Sequence, residues 1–183
     1  MSGRLFVISG ASGVGKSTVL GKVMKNNSTL RFSVSATTRA PRPGETHGVE
    51  YYFITKEQFL KMIADNAFVE YDAHMDNYYG TPTEQLEEKL KTGDVILDIE
   101  PVGAFNVRKV RPDATLIFIA PPSMEELERR LRGRGDTSEE QIRKRLARAK
   151  WEMEQSSKYD YVVINHTVDP CAEEILKIIA EKA

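Results

Sequence analysis

The chain has 183 residues, 40% of them apolar and 29% charged, with a formal net charge of −1. That length suits one domain, spanning 1–183, with room for a real core and small inserted lobes. The near-neutral balance argues against a dedicated nucleic-acid or membrane-surface binder. The single cysteine, Cys171, excludes an internal disulfide and points to a reducing, cytoplasmic setting. No secretory leader precedes Leu5, and no apolar run approaches membrane-spanning length.

In chain order, Leu5–Ile8 is a short apolar run that predicts a buried strand. Gly10-Ala11-Ser12-Gly13-Val14-Gly15-Lys16-Ser17 follows, then Thr18 and a helical stretch to about Lys25. The octet fits G-x-x-x-x-G-K-[ST], and strand, glycine loop and helix supply the context that pattern needs. Glycines let the backbone curl so that successive N–H groups point at phosphate oxygens. The helix N-terminus adds its positive dipole end, Lys16 a full charge, and the Ser17 hydroxyl a ligand for Mg²⁺. This stretch predicts a nucleoside-triphosphate site.

Arg31–Ser35 is half-polar and either joins the sheet or leads out of it. From about 33 to 82 the character changes, with Pro41, Pro43, Gly44, Gly48 and Gly80, most of the tyrosines, short strands at Tyr51–Ile54 and Phe68–Tyr71, and a helix at Lys56–Asp65. This predicts a small inserted α+β lobe. Thr81-Pro82-Thr83-Glu84 has the form of a capped helix start. Val95–Ile99, Thr115–Ile119 and Tyr161–Ile164 are nearly continuous apolar runs, each followed by a helical stretch, so a parallel sheet covered on both faces is expected. Capping boxes are predicted at Ser123–Glu126 and Thr137–Glu140. In the long helix after Ser138, Ile142, Leu146, Ala149 and Met153 form an apolar stripe. Between these helices, Arg132-Gly133-Arg134-Gly135-Asp136 suits a cationic lid over about 132–138. The expected fold is therefore α/β: a P-loop parallel sheet flanked by helices, with a core of 1–32 and 83–183, a lobe of 33–82 and an arginine-rich lid. Histidines 47, 74 and 166 lack metal-ligand spacing. Trp151 and Tyr159 suit packing, and Cys171 a half-buried place on the last helix.

Within the lobe, Arg39 and Arg42 lie three apart in a proline-stiffened segment, and two held guanidinium forks fit a phosphate monoester dianion. Gly48–Phe53, Phe68–Tyr71 and Asn77–Thr81 follow in the same lobe. With Leu97–Ile99, Ile119–Ser123, Arg130–Gly135 and Val163–Asn165, the chain resembles guanylate kinase, the family that moves phosphate from ATP to GMP.

The resemblance implies that Arg39, Arg42, Tyr51 and Tyr79 hold the GMP phosphate. It implies that Ser35, Glu70, Thr81 and an acid in the Asp98–Glu100 stretch, Asp98 or Glu100, read the guanine. Guanine presents N1–H and N2–H₂ side by side, so one carboxylate accepts from both, whereas adenine turns a lone pair to the same place. Arg130, Arg134 and Arg145 match arginines that close over the triphosphate, Asn165 lies near the adenine, and Asp98 is a candidate for the metal's water shell. The attacking oxygen of GMP is already anionic, so no general base is required. The chain departs from the family pattern at Glu100-Pro101, at His166-Thr167, and at Met75-Asp76, where a glycine is common. Two alternatives remain at this level: a non-catalytic phosphopeptide-binding module, which typically lacks the loop lysine and lid arginines present here, or a kinase of another phosphorylated acceptor. The expected assembly is a monomer or a homodimer.

Overall fold

The computed structural model describes residues 3–74, 76–133 and 138–182, and of His74 only the backbone. The chain forms two compact units, one of Met1–Leu5 with Thr29–Ala114 and one of Phe6–Ser28 with Thr115–Ala183. It is a mixed α/β protein with a parallel central sheet flanked by helices.

In the second unit, β1 (Leu5–Gly10) pairs in parallel with β8 (Thr115–Ala120), from Phe6 opposite Thr115 to Gly10 opposite Ile119. β8 pairs in parallel with β9 (Tyr161–Ile164), with Ile117 opposite Tyr161. Every residue of β1 is buried, as expected of a strand covered on both faces. β9 departs from that expectation. It stands at the end of the strand order, and Val162 and Ile164 are exposed. Its apolar run reports β-propensity more than burial. Helix α1 (Lys16–Asn26) packs against α7 (Val168–Glu181), setting Val19, Leu20 and Val23 against a face that buries Cys171, Ala172, Ile175 and Ile179. Cys171 is thus fully rather than half buried, and burial pushes its thiol up to about 11. Helix α5 (Met124–Arg132) starts on Ser123, which accepts from the Glu126 N–H. Helix α6 (Glu139–Gln155) starts one residue later than predicted. Its capping box is Ser138 with Gln141, and Thr137 lies outside the described residues.

In the first unit, Arg31–Ser35 takes both routes open to it. β2 (Arg31–Ser33) pairs in parallel with β7 (Val95–Asp98), while β3 (Ser35–Thr37) enters a separate four-stranded sheet. That sheet runs in the order β4 (Tyr51–Phe53), β3, β6 (Asn77–Pro82), β5 (Phe68–His74), parallel for the β3–β4 pair and antiparallel for the others. Helix α2 (Lys56–Ala64) carries a complete capping box between Thr55 and Gln58. Its Phe59 is fully buried, stacking on Phe68 with ring centroids 4.4 Å apart and lying 5.4 Å from Tyr78. Burying one such ring stabilises by roughly 1.5–3 kcal/mol. Gly80 is required here, because a Cβ on it would stand 2.9 Å from Phe68 and 3.0 Å from Phe59. Asp76, where a glycine is common in the family, adopts a left-handed φ of 63°, a conformation aspartate tolerates better than most residues.

Helix α3 (Thr83–Leu90) corrects one expectation. Its N-cap is Pro82, with no side-chain cap, and Thr81 is the penultimate residue of β6. The Thr81 hydroxyl is used elsewhere, on Glu70. Helix α4 (Pro101–Val110) begins with Pro101 in its first turn, a position proline suits, and Glu100 as N-cap.

Candidate functional site

In the second unit, β1 runs into the glycine loop and α1 starts at Lys16. Gly13 and Gly15 take φ of 88° and 93°, the left-handed region that favours glycine. At Gly13 the lack of a side chain also lets the loop lie against α5, since a Cβ there would meet Leu131 Cδ2 at 2.6 Å. Ala11 and Val14 point their side chains inward, so their part in the loop is played by backbone, while Ser17 and Thr18 are exposed at the helix start.

Not every loop amide faces outward for phosphate, contrary to the sequence expectation. The Ser12 N–H donates to Glu152 Oε2 at 2.7 Å and the Val14 N–H to the Ala11 carbonyl at 2.9 Å. Asn165, just after β9, is 3% exposed, and its Nδ2 donates to the Val14 carbonyl at 2.8 Å. Its Oδ1 is buried and finds no hydrogen-bond partner among the described residues. Asn165 therefore braces the loop, leaving one acceptor unspent.

The arginines divide. Arg130 donates to Glu126 at 2.8 Å and to the Asn165 and His166 carbonyls at 3.0 Å each, tying α5 to the segment after β9. In this structure its guanidinium braces those two segments against each other. Arg145 is half-buried on α6 and makes no hydrogen bond or ion pair among the described residues. Arg134 lies outside the described residues.

In the first unit, Arg39 is held from several directions. Its Nη1 and Nη2 each donate to Glu45, both at 2.9 Å, and Nη1 also to the Ala40 carbonyl at 2.7 Å. Its guanidinium lies 5.4 Å from the Tyr51 ring and 5.6 Å from the Phe53 ring, and Tyr51 meets Tyr79 edge-on at 6.0 Å. Glu45 also accepts from the Arg42 backbone N–H at 2.7 Å. The Arg39 guanidinium, with that backbone bond, holds the Glu45 carboxyl down at about 2. The Arg42 side chain is exposed, with no side-chain hydrogen bond among the described residues. The structure therefore brings Arg39, Tyr51 and Tyr79 together and adds Glu45, to which the sequence reading gave no role.

Glu70 lies opposite Thr81 in the β5–β6 ladder. It is 7% exposed and accepts the Thr81 hydroxyl at 2.6 Å. Burial raises its carboxyl to about 7, against the pull of the Thr81 hydrogen bond. Room for the carboxylate comes from Gly103 in α4, where a Cβ would stand 2.7 Å from Glu70 Oε2. Ser35 is buried on β3, Asp98 ends β7, and Glu100 caps α4, the last two half-buried.

Glu152 is the other residue the sequence reading missed. It is 1% exposed on α6, with Arg148 Nε donating to its Oε1 at 2.8 Å. Its signal was present: Ile142, Arg145, Ala149 and Glu152 recur at helical spacing, so an acid stood on a face that is largely buried.

A buried strand, a curled glycine loop and a lysine opening the next helix define a phosphate-binding α/β protein. The family model for guanylate kinase matches residues 2–182. The guanylate kinase of Synechococcus sp. (strain JA-3-3Ab) is 47% identical over 174 residues, covering 94% of this chain and 80% of that protein. A guanylate kinase of Thermus thermophilus is 46% identical over 180 residues, covering 98% of this chain and 81% of that protein. The crystal structure of guanylate kinase from Anaplasma phagocytophilum superposes with a TM-score of 0.81 at 34% identity, over 99% of this chain and 86% of that one. The chain belongs to the guanylate kinase family.

Proposed function

We propose that the chain transfers the γ-phosphoryl group of ATP to the 5′-phosphate of GMP, and of dGMP, giving ADP and GDP. An anionic oxygen of GMP forms the new bond to the γ-phosphorus while the bond to the β,γ-bridging oxygen breaks and its electrons leave with ADP. The chain's task is then positioning and charge stabilisation rather than proton abstraction. The observation that carries the reading is the buried Glu70–Thr81 pair, on the same small sheet as the Arg39–Tyr51–Tyr79 cluster.

Glu70 accepts from guanine N1–H and N2–H₂, with Ser35, Thr81 and an acid at Asp98 or Glu100 completing base recognition. Arg39, Arg42, Tyr51 and Tyr79 take the monophosphate. The backbone of 10–18 and Lys16 hold the triphosphate, Asn165 contacts the adenine side, and Arg130, Arg134 and Arg145 offset charge on the transferring group. The lobe of 33–82 carries the acceptor and about 132–138 is the lid, a segment mostly outside the described residues. Among the described residues no cluster of three or more His, Cys, Asp or Glu could hold a metal. Mg²⁺ would arrive with the triphosphate and neutralise phosphate charge, with the Ser17 hydroxyl as ligand and Asp98 touching its water. No described helix is long and apolar enough to cross a membrane. The buried lone thiol of Cys171 fits a cytoplasmic setting.

A panel of nucleoside monophosphates at fixed ATP tests this. GMP should exceed AMP and CMP by roughly 10³-fold or more in kcat/KM. Equal rates with AMP and GMP would remove the base assignment.

A further inference from the structure

Helix α6 carries Arg145, which the proposed function places on the transferring phosphoryl group, and the inference below rests on that reading. Seven residues on, nearly two full turns and so on the same face, stands Glu152. The spacing puts the two side chains about 10 Å apart along the axis. Glu152 is 1% exposed, and an ionised carboxylate is taken out of water at heavy cost unless its oxygens are satisfied. Both oxygens are. Oε2 accepts the Ser12 N–H at 2.7 Å, and Oε1 accepts Arg148 Nε at 2.8 Å. Arg148 is itself set beside the Trp151 ring at 4.8 Å.

A carboxylate so close to a phosphate-binding loop works against the anion electrostatically. It also removes the Ser12 amide from those that can reach phosphate. What it supplies is geometry. Ser12 sits between Gly10 and Gly13, where the backbone has least stiffness of its own. A charge-assisted bond there ties the most pliable part of the loop to α6. We propose that Glu152 is a positioning residue: it fixes α6 on the phosphate loop, and so sets Arg145 at the height where charge develops during transfer.

A double-mutant cycle tests this, with kcat and the KM for ATP and GMP measured for Glu152→Ala, Glu152→Gln, Arg145→Ala and the combinations. Glu152→Ala should lower kcat about 10- to 100-fold with the GMP KM within about twofold. Glu152→Gln should lose less, because one amide oxygen can still accept from Ser12 while its NH₂ faces the Arg148 donor. In the Arg145→Ala background either Glu152 change should cost no more than about twofold. If Glu152→Ala does not fold, the glutamine cycle carries the same comparison.

Losses that multiply in the double variant would overturn the proposal while leaving Arg145 its role. Unchanged kcat alongside a lowered melting temperature would make Glu152 merely structural and overturn it too. A wild-type kcat in Arg145→Ala would remove the underlying assignment of Arg145, and the proposal with it.

Discussion

In the proposed function the phosphate loop and the small four-stranded sheet face the same problem, holding a phosphorylated ligand, with different materials. The loop uses backbone, so its requirements are glycines where φ is positive, a lysine and a helix start, all within nine consecutive residues. The sheet uses side chains drawn from β3, β4, β5 and β6 and from the segment between β3 and β4, brought together by strand register. A backbone site is set by local sequence and tolerates exchange of most side chains. A side-chain site depends on each neighbour that orients the working group, so its failures should be selective.

The largest expected effect lies on the backbone side. Lys16→Met should cut kcat by about 10³-fold or more and leave the fold intact, since it removes a full charge from the transferring group. Retained activity, measured by coupled ADP release, would break the claim that the loop is a catalytic phosphate site.

On the side-chain side, Glu70→Gln should lower kcat/KM for GMP by roughly 10²-fold, with the ATP KM within about twofold. A parallel fall in both would mean Glu70 is structural. The same residue gives a pH signature. Burial raises its carboxyl to about 7, so below that pH it is protonated and offers guanine an O–H where an acceptor is needed. kcat/KM for GMP should therefore rise across pH 6–8 in the wild type and lose that rise in Glu70→Gln. Stability runs the other way. A folded-state value raised above the unfolded one makes the ionised form costly, so stability falls as pH climbs from about 4.5 to about 7 and stays low above that. Glu70→Gln should consequently unfold with a larger free energy than wild type at pH 8, by on the order of a few kcal/mol, and show little gain at pH 4.

Smaller effects should come from residues that only orient. Glu45→Gln leaves the shape around Arg39 but weakens its two-point ion pair, and should raise the GMP KM about 10-fold with kcat nearly unchanged. Gly103→Ala would press a methyl on Glu70 Oε2 and should raise the GMP KM several-fold, leaving the ATP KM alone. If Gly103→Ala affected both substrates equally, the contrast between the regions would blur.

Legibility followed the same division. The glycine loop, Lys16 and the parallel β-α pattern were open to a reader of the sequence, because their spacing is local. Thr81 was not. Its neighbours Pro82, Thr83 and Glu84 suggested a helix cap, whereas the register of β5 on β6 delivers its hydroxyl to Glu70. Glu45 lay inside a segment already marked for phosphate, yet only the folded turn shows it gripping Arg39. Glu152 lay at helical spacing from Ile142 and Ala149, yet only the folded chain sets it against the Ser12 amide.

By itself, the sequence determined the family, the order of elements and the place of the triphosphate loop, because hydrophobic period, glycine tolerance and helix-start chemistry act over a few residues. Tertiary structure alone decided which acids are buried, which hydroxyl each one accepts from, and which arginine is braced rather than open. Those outcomes depend on desolvation and on partners as distant as Ser12 and Glu152, and neither is written in local spacing.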